Sequence, residues 1–95
     1  MSVVIIGGND CMVCRYKELC KTYKCKPKVF TQMTSSMKDQ IGQPDLMILF
    51  TNTVSHKMVR CALSGVCEKR TVIARSHSSS ITSLKQILDT HCAAL

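Results

Sequence analysis

Three short apolar runs in this chain are each followed directly by a polar segment. They are residues 3–6 followed by 7–10, Leu46–Phe50 followed by 51–56, and residues 71–74 followed by 75–80. Short apolar runs bounded by turn-forming residues are typical of β-strands. Parallel strands would bring all three polar segments to one edge of a sheet, and open α/β sheets bind ligands at that edge. The pattern therefore predicts one composite site beyond the carboxyl ends of the strands.

Apolar residues three or four positions apart predict four helices between and after the strands. The stripes are Met12, Val13, Tyr16, Leu19, Cys20 and Tyr23; Met33, Met37 and Ile41; Val59, Ala62, Leu63 and Val66; and Ile81, Leu84, Ile87 and Leu88. Asp10 is the predicted N-cap of the first helix, and Gly42 with Pro44 is expected to end the second. Pro27 is expected to close a turn before a further strand over residues 28–31.

These elements alternate as βαβαβαβα. Crossovers long enough for helices predict an α/β fold: a small doubly wound, four-stranded parallel sheet of the Rossmann or flavodoxin-like kind, with helices on both faces. Right-handed crossovers give the strand order 2-1-3-4. The order reverses between strands 1 and 3, so we expect a ligand crevice between residues 7–10 and residues 51–56. We expect a single domain over residues 1–95.

The composition favours a basic globular domain in the cytoplasm. Hydrophobic residues make up 45% of the 95 residues, and no apolar run approaches the roughly 20 residues of a membrane span. The first residues lack the basic segment of a signal peptide, so we expect a cytoplasmic protein. The net charge of +7 attracts phosphates and carboxylates. Aromatic residues are only 4% of the chain and Trp is absent, which argues against base stacking and so against a nucleic-acid partner.

His56 follows Ser55 at the expected start of the third helix, within the predicted crevice. The helix macrodipole disfavours the imidazolium form at that position, and a neutral imidazole is the form that binds a metal. The alternative is an ordinary surface or capping histidine. The side-chain amides of Asn9 and Asn52 are expected to face the same site.

The segment 75–80 supplies an arginine, a histidine and several serines ahead of the last helix. Arg75 suits bidentate pairing with a carboxylate or a phosphate. Hydroxyls and free backbone N–H groups at a helix start favour anions, which makes Ser78 and Ser79 candidate contacts, with His77 beside them. The alternative is a helix cap followed by a solvated polar loop.

The seven cysteines are expected to be thiols, because an odd count without a secretion signal argues against a disulfide framework. Cys11 and Cys14 have the spacing of a redox motif at the start of the first helix, where thiols are more reactive. Cys20 lies on the opposite side of that helix from Cys11, about 180° around its axis, which opposes a shared metal cluster. Incidental thiols are the alternative interpretation.

Three segments together resemble a known family. They are Val-Val-Ile-Ile-Gly-Gly at residues 3–8, Thr-Val-Ser-His at 53–56 and Arg-Ser-His-Ser-Ser at 75–79. The chain is similar over essentially its whole length to the DUF2325 family of small bacterial α/β proteins, whose members have been linked to haem binding and oxygen reactivity. The resemblance implies that His56 is the leading candidate ligand for a haem iron. This chain carries His77 where the family more often has a serine.

Three hypotheses for function follow. The first is a haem b protein, a sensor or an oxygen-reactive protein, in which His56 ligates the iron and Arg75 and the serines hold the propionates. Met33 and Met37 are further candidate thioether ligands, with core packing as their alternative role. Because a haem is too large for one small crevice, we expect a homo-oligomer.

The second hypothesis is a module that binds an anionic or phosphorylated small molecule at the same edge without metal. The third is a thiol-redox or metal-sensing protein that uses Cys11 and Cys14. No carboxylate pair and no nucleophile with an oriented base points to a hydrolase, so the sequence leaves open whether the protein is an enzyme.

Overall fold

The computed structural model describes residues 2–32, 37–66 and 69–92. Its strands are β1 (Ser2–Ile6), β2 (Lys26–Phe30), β3 (Leu46–Phe50) and β4 (Val72–Ser76). Its helices are α1 (Val13–Thr22), α2 (Met37–Ile41), α3 (His56–Ser64) and α4 (Ile81–Cys92), and a 3₁₀ turn over Asp10–Met12 precedes α1. Met33 and the side chain of Met37 lie outside the described part of the chain, so their expected roles do too.

The four strands form one parallel sheet in the order β2-β1-β3-β4, which confirms the predicted fold. β3 lies at the centre and all five of its residues are buried, as expected for a strand covered on both faces. The order reverses between β1 and β3, so the carboxyl edge of these two strands is the topological switch point.

Alternation along the strands divides the core into two clusters, one on each face of the sheet. The α1/α4 cluster comprises Val3, Ile5, Tyr16, Cys20, Cys25, Leu46, Ile48, Phe50, Leu84 and Leu88. The α2/α3 cluster comprises Val4, Ile6, Ile41, Met47, Leu49, Met58 and Ala62. Successive residues of β1 and β3 thus supply opposite faces, and each face is covered by its own pair of helices.

β2 starts two residues before the strand predicted over residues 28–31. It runs from Lys26 to Phe30, and Pro27 lies inside it, paired with Val3, instead of closing a turn before it. Proline has no N–H to donate, which an edge strand tolerates because one side of its backbone has no partner strand. The prediction that Pro27 closes a turn is wrong because proline is also compatible with an edge strand.

β4 is displaced toward the carboxyl end relative to the predicted residues 71–74. It runs from Val72 to Ser76, and its last two residues pair with Leu49 and Phe50 of β3. Arg75 therefore belongs to an ordered strand and not to the loop after it. The apolar run alone could not show this, because pairing with β3 extends β4 into polar residues.

The helix ends also differ in detail from expectation. Asn9 rather than Asp10 caps the first turn, since its side-chain oxygen accepts a hydrogen bond from the backbone N–H of Cys11 at 3.0 Å. Gly42 follows α2 with φ of 62°, as predicted for a residue that ends a helix. α3 ends at Ser64, so Val66 contacts the core from the following turn. Among the described residues, no helix combines the length and apolarity required to cross a bilayer.

Candidate functional site

The loops after β1 and β3 contact each other directly at the switch point. The backbone N–H of Gly8 donates to Thr53 Oγ1 at 2.7 Å, and that of Gly7 donates to the carbonyl of Phe30 at 2.7 Å. A Cβ atom on Gly7 would lie 2.5 Å from Cγ1 of Val54. The glycine pair, with φ of 96° and 92°, therefore permits close packing of one loop on the other. Protein atoms fill the space at this junction where a ligand crevice was expected.

Tyr16 joins three parts of the structure at this edge. Its ring is fully buried and lies 5.6 Å from that of Phe50. Its hydroxyl donates to the carbonyl of Ser79 at 2.6 Å and accepts from the N–H of Asn9 at 3.4 Å. It therefore positions the first loop and the entry to α4. The apolar stripe predicts only a core role for Tyr16, but a buried phenol also needs a hydrogen-bond partner, which is the signal for this second role.

Hydrogen bonds within the serine segment fix its own turns and cap α4 once. The backbone N–H groups of Ser78, Ser80 and Ser83 donate to the hydroxyls of Ser76, Ser78 and Ser80, at 3.2, 3.3 and 3.2 Å. Ser79 supplies the carbonyl that Tyr16 engages. Of the three hydroxyls, that of Ser80 caps α4 through the N–H of Ser83, and those of Ser76 and Ser78 hold the turns before the helix.

His77 is held at the end of β3. Its Nδ1 lies 3.1 Å from Thr51 Oγ1, which is also 3.2 Å from the carbonyl of Ser76. A hydroxyl has one hydrogen to donate. When Thr51 donates to the carbonyl, His77 Nδ1 carries the proton and donates to Thr51, which leaves Nε2 as the acceptor of the ring.

His56 is the first residue of α3 and is exposed. Ser55 caps the helix by accepting from the N–H of Met58 at 3.2 Å, so the imidazole has no capping role. Within the described part of the chain, His56 makes no hydrogen bond or ion pair. Asn52 is likewise exposed in the turn after β3, whereas Asn9 uses its side-chain oxygen as a cap.

Arg75 lies on the same face of the sheet as α3. Its strand neighbour two positions earlier, Ile73, contacts the α2/α3 cluster, and Arg75 itself pairs with Leu49 of that cluster. Because side chains alternate along a strand, Arg75 leaves β4 on that face. α3 begins at His56 and packs on the same face. The structure thus brings Arg75 and His56 to one face and one edge of the sheet.

Two open grooves border β4 and meet at Arg75. The first, here the β4 groove, has a volume of about 390 Å³ and is lined by Lys69, Arg70, Thr71, Val72, Ile73 and Arg75. The second, of about 340 Å³, lies between β4 and α4, and its polar lining includes Arg75, Ser76, Ser83, Gln86, Thr90 and His91. No described residue of either lining is a carboxylate. Arg75 is therefore the shared positive group of this side of the molecule.

The described residues contain no cluster of three or more His, Cys, Asp or Glu side chains placed to hold a metal ion. His56 could therefore supply one protein ligand to a metal that brings its other ligands with it, as a porphyrin does.

Comparison with known proteins gives a family. No curated protein and no solved structure matches the chain significantly. One family model matches residues 2–91, and its description is "Uncharacterized protein conserved in bacteria (DUF2325)". This match includes every strand and both glycines of the first loop, together with His56 and Arg75. The chain belongs to the DUF2325 family.

Proposed function

We propose that the protein binds haem b at the carboxyl edge of the sheet, on the face covered by α2 and α3. The observation that carries the proposal is the placement of exposed His56 and exposed Arg75 on the same face and at the same edge. The imidazole is the candidate iron ligand, and the guanidinium is the candidate partner of a propionate. The family resemblance supports the role of His56 as the iron ligand.

The chemistry of His56 suits an iron ligand. Its ring nitrogens are not engaged by any described residue, so a lone pair is free to coordinate. A bound haem would supply a redox-active iron that can bind diatomic gases.

The β4 groove suits an amphipathic anion in its chemistry. Val72 and Ile73 are apolar, and Val72 is 47% exposed, while Lys69, Arg70 and Arg75 add positive charge. A groove this open does not enclose a haem, since ligand sites usually bury most of the ligand surface. We therefore propose that a second copy of the chain covers the other side, which makes the haem-bound state a homo-oligomer.

Haemin titration followed at the Soret band tests this function. His56→Ala is expected to abolish saturable binding or to change the iron's spin state. His91→Ala is the matched control, because His91 is also an exposed histidine but lies on α4 and does not line the β4 groove. Equal spectra for the two variants, or the absence of a saturable Soret shift for the wild type, would remove haem from consideration.

A second titration distinguishes a specific contact of the Arg75 guanidinium with haemin from attraction by the overall positive charge of the chain. Arg75→Gln is expected to weaken haemin binding, whereas Arg15→Gln, which removes an equal charge from α1, is expected to leave it unchanged. Size-exclusion chromatography of the same samples checks the assembly. A haem complex that elutes as a monomer would contradict the role of a second copy.

The second candidate is a module for an anionic small molecule without metal. It is favoured by the position of Arg75 between two grooves in which no described lining residue is a carboxylate. In this case inorganic phosphate or a dicarboxylate would bind by calorimetry, Arg75→Gln would lose binding, and His56→Ala would retain it. That outcome, together with no response to haemin, would replace the haem proposal.

A further inference from the structure

Two of the described cysteines stand apart from the rest by exposure and spacing. Cys11 and Cys14 are both exposed, whereas Cys20 and Cys25 are buried and Cys61 is intermediate. Cys11 lies in the 3₁₀ turn over Asp10–Met12, and Cys14 is the second residue of α1. Both thiols are therefore accessible to a reagent in solution, and they are separated by a single turn of chain.

The backbone between them places these thiols within reach of each other. Met12 has φ of −106° and ψ of 2°, and Val13 has φ of −54° and ψ of −45°, so both continue a right-handed turn. Residues three apart in such a turn have Cβ atoms about 5–6 Å apart. A disulfide needs about 3.5–4.5 Å between Cβ atoms and tolerates Cα separations of about 4.4–6.8 Å. A local tightening of the turn is therefore enough to close the bond.

We propose that Cys11 and Cys14 form a redox site that reacts reversibly with low-molecular-weight disulfides such as oxidised glutathione. One cysteine thiolate attacks a sulfur of the reagent, forming a mixed disulfide and releasing one glutathione thiol. The thiolate of the second cysteine then attacks the protein sulfur of that mixed disulfide and releases the second glutathione thiol. The protein loses two protons and two electrons, and one oxidised glutathione becomes two reduced molecules.

The surroundings favour an anionic partner. Arg15 follows Cys14 directly and is exposed, and Lys17 lies on the same helix. Asp10 and Glu18 equal these two cations in number within residues 10–18, so the attraction comes from the charge of the whole chain. The chain as a whole carries a net charge of +7, which raises the local concentration of anionic reagents such as glutathione.

Oxidation at this site is expected to leave the core intact. The cysteine nearest in sequence, Cys20, is buried in the α1/α4 cluster and cannot exchange without unfolding. The new bond spans only one turn, so it restricts the unfolded chain little. The site can therefore change its redox state in the folded protein, and this holds whether or not the protein binds haem.

Differential alkylation of the full-length protein tests the proposal. The chain is equilibrated in glutathione buffers of increasing oxidation, its thiols are blocked, and the peptides are mapped by mass spectrometry. Labelling of Cys11 and Cys14 is expected to be lost together, with one Cys11–Cys14 disulfide formed and reversed by reduced glutathione. Cys61 is expected to keep its free thiol, and Cys20 and Cys25 to be labelled only after denaturation.

Two variants trap the intermediate, and a third serves as the control. Cys11→Ser and Cys14→Ser should each stop at the mixed disulfide with glutathione, because the second thiol is missing, and Cys61→Ser should behave as the wild type. Cys11 and Cys14 that both stay free in oxidised glutathione would overturn the proposal. So would a disulfide that joins either of them to any other cysteine. The wild-type map alone decides the question if a variant fails to fold.

Discussion

The two faces of the sheet are built differently. The face under α1 and α4 carries helices of 10 and 12 residues, and it buries the rings of Tyr16 and Phe50 against each other. The face under α2 and α3 carries helices of 5 and 9 residues. Among the described residues, the α1/α4 cluster has ten buried side chains and the α2/α3 cluster has seven, and both clusters are bordered by half-buried apolar side chains. The α2/α3 face is therefore the thinner of the two.

The candidate binding residues lie on the thinner face. His56 and Arg75 are exposed there, and the β4 groove opens beside Arg75. Burial supplies most of the stabilisation of a small domain, whereas binding needs surface that is left uncovered. The α1/α4 face therefore contributes the larger buried core, and the α2/α3 face carries the exposed candidate residues. Substitutions on the two faces should therefore separate stability from binding.

The largest effect is expected from Leu84→Ala on the α1/α4 face. Leu84 is fully buried, and its truncation should lower the free energy of unfolding by about 2–5 kcal/mol through lost burial and a cavity. Urea unfolding followed by circular dichroism measures it. Lys85→Ala is the control, because Lys85 is exposed at the next position. Equal losses for both variants would mean that α4 does not close this face.

Gly8→Ala comes next and tests the junction with α1. Gly8 has φ of 92°, and a Cβ there would lie 2.8 Å from Cε2 of Tyr16. Backbone strain together with this contact should lower the free energy of unfolding by about 1–3 kcal/mol. Gly42→Ala is the matched control, since Gly42 also has positive φ but a Cβ there meets no atom within 4 Å. If the two alanine variants unfold alike, the contact with Tyr16 contributes nothing.

Tyr16→Phe keeps the ring and removes its hydroxyl. The hydroxyl donates to the carbonyl of Ser79 at 2.6 Å, so its loss should lower the free energy of unfolding by about 1 kcal/mol. Tyr23→Phe offers a comparison, because the hydroxyl of Tyr23 bonds to the exposed carboxylate of Asp89 and should contribute less. The reverse ranking would show that the link from α1 to the entry of α4 is not important for stability.

The fold could be predicted from the sequence because its signals were local and strong. The uniformly apolar β3 and the helical stripes gave the order of elements, and right-handed crossovers gave the sheet order. The ends of β2 and β4 could not be predicted in the same way. These ends depend on pairing with the neighbouring strand. Pairing with β1 includes Pro27 in β2, and pairing with β3 includes Arg75 in β4.

The candidate site was predicted less completely than the fold. Polar residues after strands do gather at the carboxyl edge, but their roles depend on three-dimensional contacts. The Gly7–Gly8 pair suggested space for a ligand, and the structure instead has Thr53 and Val54 in contact with it. The serines suggested an anion site, and in the structure Ser80 caps α4 while Ser76 and Ser78 hold the turns before it. Polar residues that follow strands therefore predict at which edge of the sheet a site lies. They do not show which of their side chains are free to bind a ligand.

Arg75→Gln is expected to have the smallest effect on stability. Its side chain is exposed and makes no ion pair with any described residue, and surface substitutions of this kind usually change the free energy of unfolding by less than about 0.5 kcal/mol. Urea unfolding beside the wild type measures the change. Val72→Thr serves as the comparison, because Val72 is the exposed apolar residue of the same strand. Its loss in the free energy of unfolding measures the effect of altering the packing of β4. A loss from Arg75→Gln comparable to that from Leu84→Ala would make Arg75 a structural residue of the thinner face. In that event weaker haemin binding by the variant would reflect damage to β4. An unchanged unfolding curve together with weaker binding would instead show that Arg75 serves the ligand.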